Sequence, residues 1–118
     1  MTTDRELLEL AATAAGYEYG EINGAFKARI EQDVGTCGTY GCQKHQWRDW
    51  NPLTDDGDAL RLAVRLRLLI SLHERFEVHV VWWRNGERGE IRETDKDSYV
   101  ATRRAIVRAA AEIGRQHD

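Results

Sequence analysis

The chain has 118 residues, 42% of them hydrophobic and 31% charged, so one domain can bury a core without help from disulfides or metals. Its 17 lysines and arginines nearly balance its 20 aspartates and glutamates, and the formal net charge of −3 provides no broad attraction to nucleic acid or to an anionic membrane. The longest apolar runs, such as residues 68–70, are far shorter than the roughly 20 residues that cross a bilayer.

These totals predict a single domain over residues 1–118, with no membrane association. The first residues lack the basic and apolar regions of a secretory signal, so we expect the protein in the cytoplasm. Cys37 and Cys42 are then expected to be reduced.

A helix is predicted over residues 4–15. Thr3 and Glu6 fit a capping box, in which the threonine hydroxyl accepts from a first-turn N–H and the glutamate reaches back. Leucines and alanines then recur at helical spacing. Gly16 can adopt the left-handed conformation that ends a helix.

After residue 17 the apolar residues no longer recur at helical spacing but alternate with polar ones. Apolar and charged side chains alternate over residues 26–31, which predicts a half-buried strand, with a shorter strand near residues 17–22 and a turn at Asn23-Gly24. Residues 35–46 contain three glycines, two cysteines and few aliphatic side chains. This segment is predicted to be a surface loop.

A second helix is predicted over residues 55–68. Pro52 precedes it, Thr54 is the predicted N-cap, and the aspartates that follow suit the positive end of the helix dipole. The predicted apolar stripe consists of Ala59, Leu62, Ala63 and Leu66, widened by Leu60 and Val64. Arg61 and Arg65 are expected on the solvent side.

The last third of the chain predicts a hairpin and a helix. Residues 76–83 alternate, Asn85-Gly86 favours a tight turn, and residues 90–94 are the predicted return strand. Asp97 or Ser98 can cap the final helix, and Gly114 is predicted to end it. The apolar stripe of this helix is Ile106, Ala109, Ala110 and Ile113. Strands grouped as hairpins favour an α+β fold with a mainly antiparallel sheet covered by about three helices.

Two segments carry a family resemblance. Residues 50–64 (WNPLTDDGDALRLAV) and residues 101–114 (ATRRAIVRAAAEIG), together with the Trp82-Trp83 hairpin, resemble the phage ABA sandwich domain family over about half of the chain. The resemblance implies a three-layer α/β/α sandwich encoded by a bacteriophage or prophage, acting in the bacterial host cytoplasm. It implies no activity, and residues 35–46 have no counterpart in the family pattern.

Cys37, Cys42 and His45 have a spacing that suits zinc, but a closed site needs a fourth ligand. The candidates for that ligand, His73, His79 and His117, are all remote in sequence. Two reduced thiols and a surface histidine are favoured over a metal site, and no cofactor is predicted. The aspartates of residues 55–58 are likewise better explained by helix capping than by cation binding.

Tryptophans and arginines are the candidate binding residues. Trp82 and Trp83 are adjacent on a strand and must point to opposite faces. A three-layer sandwich favours burial of both, whereas a sheet open on one side would expose one, so Trp83 is a candidate contact residue together with Trp47. Arg104 and Arg108 share one face of the last helix and could meet phosphates or an acidic partner.

No P-loop, dinucleotide-binding, nucleophile-elbow or zinc-protease motif is present in the sequence, so catalysis is not favoured. The leading hypothesis is a phage or prophage accessory protein that binds a host or viral protein. Two alternatives stay open: a nucleic-acid-binding module that uses the arginines of the final helix, and a zinc-stabilised domain at Cys37, Cys42 and His45.

Overall fold

The computed structural model describes residues 3–31 and 45–116, without the side chains at positions 30, 31, 45 and 46. In chain order the elements are α1 (Asp4–Ala15), β1 (Glu18–Ile22), β2 (Ala25–Glu31), β3 (His45–Asp49), α2 (Asp56–Leu66), β4 (Leu69–Leu72), β5 (Glu77–Arg84), β6 (Glu87–Thr94) and α3 (Ser98–Arg115). The strands form two antiparallel sheets, sheet A (β1-β2-β3) and sheet B (β4-β5-β6). The α+β sandwich is confirmed, although the strands form two sheets where the sequence predicted one.

Helix α1 has the predicted bounds and the predicted caps. The Thr3 hydroxyl accepts a hydrogen bond from the backbone N–H of Glu6 (3.1 Å), and Gly16 closes the helix with φ of 80°. Both caps are interactions within four residues of the helix ends, which is why local sequence predicts them.

Sheet A contains the predicted hairpin and one further strand. Asn23 and Gly24 both have positive φ (53° and 81°), as a two-residue turn between twisted strands requires. Strand β3 pairs with β2, so the prediction of a loop over residues 35–46 is wrong at positions 45 and 46. The other residues of that predicted loop lie outside the described residues. The short polar sequence of β3 becomes a strand because β2 provides a partner, which local sequence does not reveal.

Helix α2 is shorter than predicted at both ends. Its N-cap is Asp55 and not Thr54, since the Asp55 carboxylate accepts from the N–H of Asp58 at 2.9 Å. Arg67 ends the helix in the left-handed conformation with φ of 55°. The four predicted stripe residues are buried, but Leu60 and Val64 are 61% and 69% exposed, so the predicted widening of the stripe is wrong.

Sheet B contains the predicted Asn85-Gly86 hairpin, with β6 beginning at Glu87 and not at residue 90. Strand β4 was not predicted and pairs with the middle of β5. The inner face of sheet B packs on α3 and carries the buried side chains Val78, Val80 and Trp82.

Helix α3 lies between sheet B on one side and helices α1 and α2 on the other. Asp97 is its N-cap and accepts from the N–H of Tyr99 at 2.8 Å. The prediction that Gly114 ends this helix is wrong: Gly114 is a buried helical residue, and a Cβ built on it would lie 2.2 Å from the carbonyl oxygen of Leu10 in α1. None of the helices in the described part of the chain combines the length and the apolar character that a membrane span requires.

Candidate functional site

The outer face of sheet B, opposite α3, carries both exposed and buried side chains, and Val81 at its centre is only 7% exposed. Trp82 on the inner face is 4% exposed and Trp83 on the outer face is 53% exposed, so the expectation that both are buried is wrong. Trp83 lies directly across from Arg88 of β6, and Leu69 of β4 lies across from Val81. Leu69 is also about half exposed. Trp83 and Leu69 therefore provide apolar area on a solvent-facing sheet surface.

Charges of both signs surround this apolar area. The Glu90 carboxylate accepts hydrogen bonds from Arg92 (2.8 Å) and Arg88 (3.0 Å). These two bonds, that from Arg92 first, hold the pKa of Glu90 below its ordinary value. Beside them, Glu77 accepts a hydrogen bond from Nε2 of His79 (2.8 Å), and this bond is the main reason that the pKa of Glu77 is lowered. The two arginines and two glutamates cancel in charge.

Arg88 and Leu69 are members of this face that the sequence alone did not indicate. Arg88 could have been found, because a two-residue turn at Asn85-Gly86 places residue 88 opposite residue 83. Leu69 could not, because β4 was not recognised as a strand.

The hydrogen bonds of Glu90 make its contribution to stability depend on pH. Arg92→Gln is expected to raise the pKa of the Glu90 carboxyl toward its ordinary value, because it removes the larger stabilising interaction. Since folding lowers this pKa, the ionised carboxyl contributes stability above the ordinary glutamate value of about 4.3, and this is lost as pH falls through the folded value. Carboxyl carbon NMR titration measures the shift. Arg29→Gln in sheet A is the control and should leave the pKa of Glu90 unchanged. Equal Glu90 pKa values in the wild type and in both variants would show that Arg92 does not lower this pKa.

Trp47 lies on the outer face of sheet A, on β3, and is 44% exposed. It is paired across the strands with Arg29, which forms an ion pair with Glu18 at 3.6 Å. Trp47 and Trp83 are thus both exposed but belong to different sheets. The structure does not bring them together on one sheet face.

Arg104 and Arg108 lie in a groove of about 370 Å³, here called the arginine groove. Its lining residues are Leu7, Glu93, Arg104, Arg108, Glu112 and Arg115. Arg108 forms an ion pair with Glu93, and Arg115 forms one with Glu112. The sequence placed Arg104 and Arg108 on one helix face correctly, but it could not show that β6 contributes Glu93 as a counter-charge.

Cys37 and Cys42 lie outside the described residues, as does the side chain of His45, so the zinc hypothesis stays a prediction. Within the described ranges, no three histidine, cysteine or acidic side chains are grouped so that they could hold a metal ion. His73 and His79 do meet, with ring centroids 4.2 Å apart.

Of the aspartates at the start of α2, Asp55 caps the helix, as described above. Asp58 is 4% exposed and is held by two arginines: its Oδ1 accepts from Arg48 (3.0 Å) and Arg61 (2.8 Å). Both side chains therefore have structural roles.

Comparison of this chain with known protein families, with curated proteins and with solved structures gives no match. The choice between the candidate surfaces therefore rests on the geometry of the described residues.

Proposed function

We propose that this protein is a non-catalytic binding protein that recognises another protein through the outer face of sheet B. The observation that carries the proposal is the 53% exposure of Trp83 beside Arg88 on the face of sheet B opposite α3. Tryptophan and arginine are enriched among the residues that dominate protein–protein binding energies. Leu69 of the edge strand β4 adds apolar area beside Trp83, and charged side chains supply a polar rim.

Charge balance favours a protein partner over nucleic acid. Arg88 and Arg92 are both bonded to Glu90, so their charge is partly neutralised before any ligand arrives. A strand of phosphates would also approach Glu77 on the same face, at a repulsive cost. Nucleic acid binding through Arg104 and Arg108 is less well supported for the same reason, because Glu93 lies within 4.0 Å of both guanidinium groups.

The resemblance to the phage ABA sandwich domain family supports the biological setting of this proposal. A phage or prophage accessory protein acts in the bacterial host cytoplasm, and its partner is then a host or viral protein. The zinc-stabilised alternative at Cys37, Cys42 and His45 has its own test: protein purified without added metal should contain less than about one tenth of an equivalent of zinc, and a full equivalent would support that alternative.

Variants of the outer face test the proposal. Proteins captured from host lysate are identified by mass spectrometry, and each is then purified and titrated by calorimetry against the wild-type chain. Trp83→Ala should weaken binding at least tenfold, about 1.4 kcal/mol, because it removes the largest apolar anchor. Arg88→Ala should weaken binding less.

The matched control is Leu60→Ala, which truncates an apolar side chain of similar exposure on α2 (61% against 53% for Trp83) and should leave the affinity unchanged. Trp47→Ala is a second control: it shows whether the exposed tryptophan of sheet A contributes to binding, as Trp83 of sheet B is proposed to do. A partner that binds Trp83→Ala as tightly as wild type would overturn the assignment of the surface. Failure to capture any partner, together with turnover of a small substrate, would overturn the proposed class of function.

A further inference from the structure

The arginine groove is built where three elements meet. Leu7 comes from α1, Glu93 from β6, and Arg104 and Arg108 from α3. The two arginines are one helical turn apart, so their guanidinium groups reach the same groove. This surface contains none of the residues assigned above to the outer face of sheet B.

The arginines in this groove differ in the hydrogen bonds that they donate. Arg108 donates to the Glu93 carboxylate and also to the carbonyl oxygen of Arg92 at 3.3 Å. Arg104 donates no hydrogen bond to any residue in the described ranges: its nearest carboxylate oxygens are those of Asp4 at 3.6 Å and Glu93 at 4.0 Å. A guanidinium carries five N–H donors, and hydrogen bonds from them need donor–acceptor distances near 2.9 Å. The donors of Arg104 are therefore available to a ligand.

The charges around Arg104 define the kind of ligand. The lining holds three guanidinium groups and two carboxylates, and the carboxylate of Asp4 lies 3.6 Å from Arg104, so the charges around the groove balance. One compact anion can reach the donors of Arg104, whereas a continuous polyanion would also meet the carboxylates of Glu93 and Glu112. The buried side chain of Leu7 gives the groove an apolar wall, and the volume of about 370 Å³ is at the small end of ligand sites.

We propose that the arginine groove binds one discrete anionic group, a carboxylate or a phosphate monoester, on the guanidinium of Arg104. A planar guanidinium matches either group through two parallel N–H···O bonds. Arg108 supplies a second positive charge one turn away while it stays bonded to Glu93. The small apolar part of the ligand lies against Leu7.

Titration of the wild-type protein with phenyl phosphate and with benzoate tests this, with the arginine Nε–Hε NMR signals as the readout. Saturable shifts at Arg104 with an affinity of about 1 mM or better are expected. The tighter of the two probes identifies the class of anion. No saturation by about 10 mM of either probe would overturn the proposal.

Arg104→Gln should weaken the tighter probe at least tenfold. Arg67→Gln is the matched control, because the Arg67 guanidinium is exposed, lies outside the groove and has no partner among the described residues. Equal weakening by both variants would show a general charge effect and no site. A single-stranded DNA oligonucleotide serves as the polyanion: binding tighter than phenyl phosphate, with affinity that falls steeply as salt is added, would replace the discrete anion by nucleic acid.

Discussion

Gly114→Ala is expected to lower the free energy of unfolding by about 2 kcal/mol. A Cβ at this position would lie 2.2 Å from the carbonyl oxygen of Leu10 and 3.0 Å from its carbonyl carbon. Because these are backbone atoms, relief requires α1 to move away from α3, and overpacking of this kind costs about 1–3 kcal/mol. The short distance of 2.2 Å puts the cost near the top of that range, at about 3 kcal/mol. The higher helix propensity of alanine offsets about 1 kcal/mol of this cost. Urea denaturation measures the change.

Gly57→Ala is the matched control, since Gly57 is the helical glycine of α2. A Cβ there would meet the ends of the Arg61 and Asp55 side chains at 3.1 Å and no backbone atom, so a shift of a few tenths of an ångström in these side chains makes room for it. We expect its stability to stay within about 1 kcal/mol of wild type. Equal denaturation midpoints for Gly114→Ala and wild type would contradict the close approach of α1 and α3.

Asp58→Ala is expected to lower the free energy of unfolding by about 3 kcal/mol. The Asp58 carboxylate is nearly inaccessible to water and joins three segments: it accepts from Arg48 on β3, from Arg61 on α2 and from the N–H of Asn51 at 3.1 Å. Removing one member of a buried ion pair costs about 3–5 kcal/mol. The lower end applies here, because the side chains of Arg48 and Arg61 are 34% and 53% exposed and water screens them once the carboxylate is gone.

Asp56→Ala is the control for Asp58→Ala, because it removes a neighbouring aspartate from the same helix. Asp56 pairs with Arg103, but its side chain is 67% exposed. A surface ion pair of this kind contributes about 0–1 kcal/mol. If the two variants unfold at the same urea concentration, Asp58 is not the junction between sheet A and α2 that its contacts indicate.

Local interactions made much of this fold predictable from sequence. The caps at Thr3 and Asp97 and the turn at Asn85-Gly86 are each decided by residues within four positions of one another. Their hydrogen bonds and backbone conformations need no distant partner. Helix α1 was therefore predicted at its observed bounds, and the hairpin of sheet B was predicted at its observed turn.

The candidate surfaces were only partly predictable. Alternation along β5 showed that Trp82 and Trp83 point to opposite faces, and helical spacing showed that Arg104 and Arg108 share a face. Which tryptophan remains in solvent depends on where α3 packs, and the free donors of Arg104 depend on the positions of Asp4 and Glu93. Spacing along one element carries no information about the neighbours that other elements bring.

The sequence by itself determined the helices, the tight turns and the antiparallel hairpins, because short-range hydrogen bonding and apolar periodicity specify them. Only the tertiary structure decided that residues 45–49 and 69–72 are strands, that Gly114 is a contact point between helices, and that Asp58 is buried between arginines. Each of these outcomes requires a partner more than three residues away in the chain. Long-range packing selects that partner, and local propensity does not.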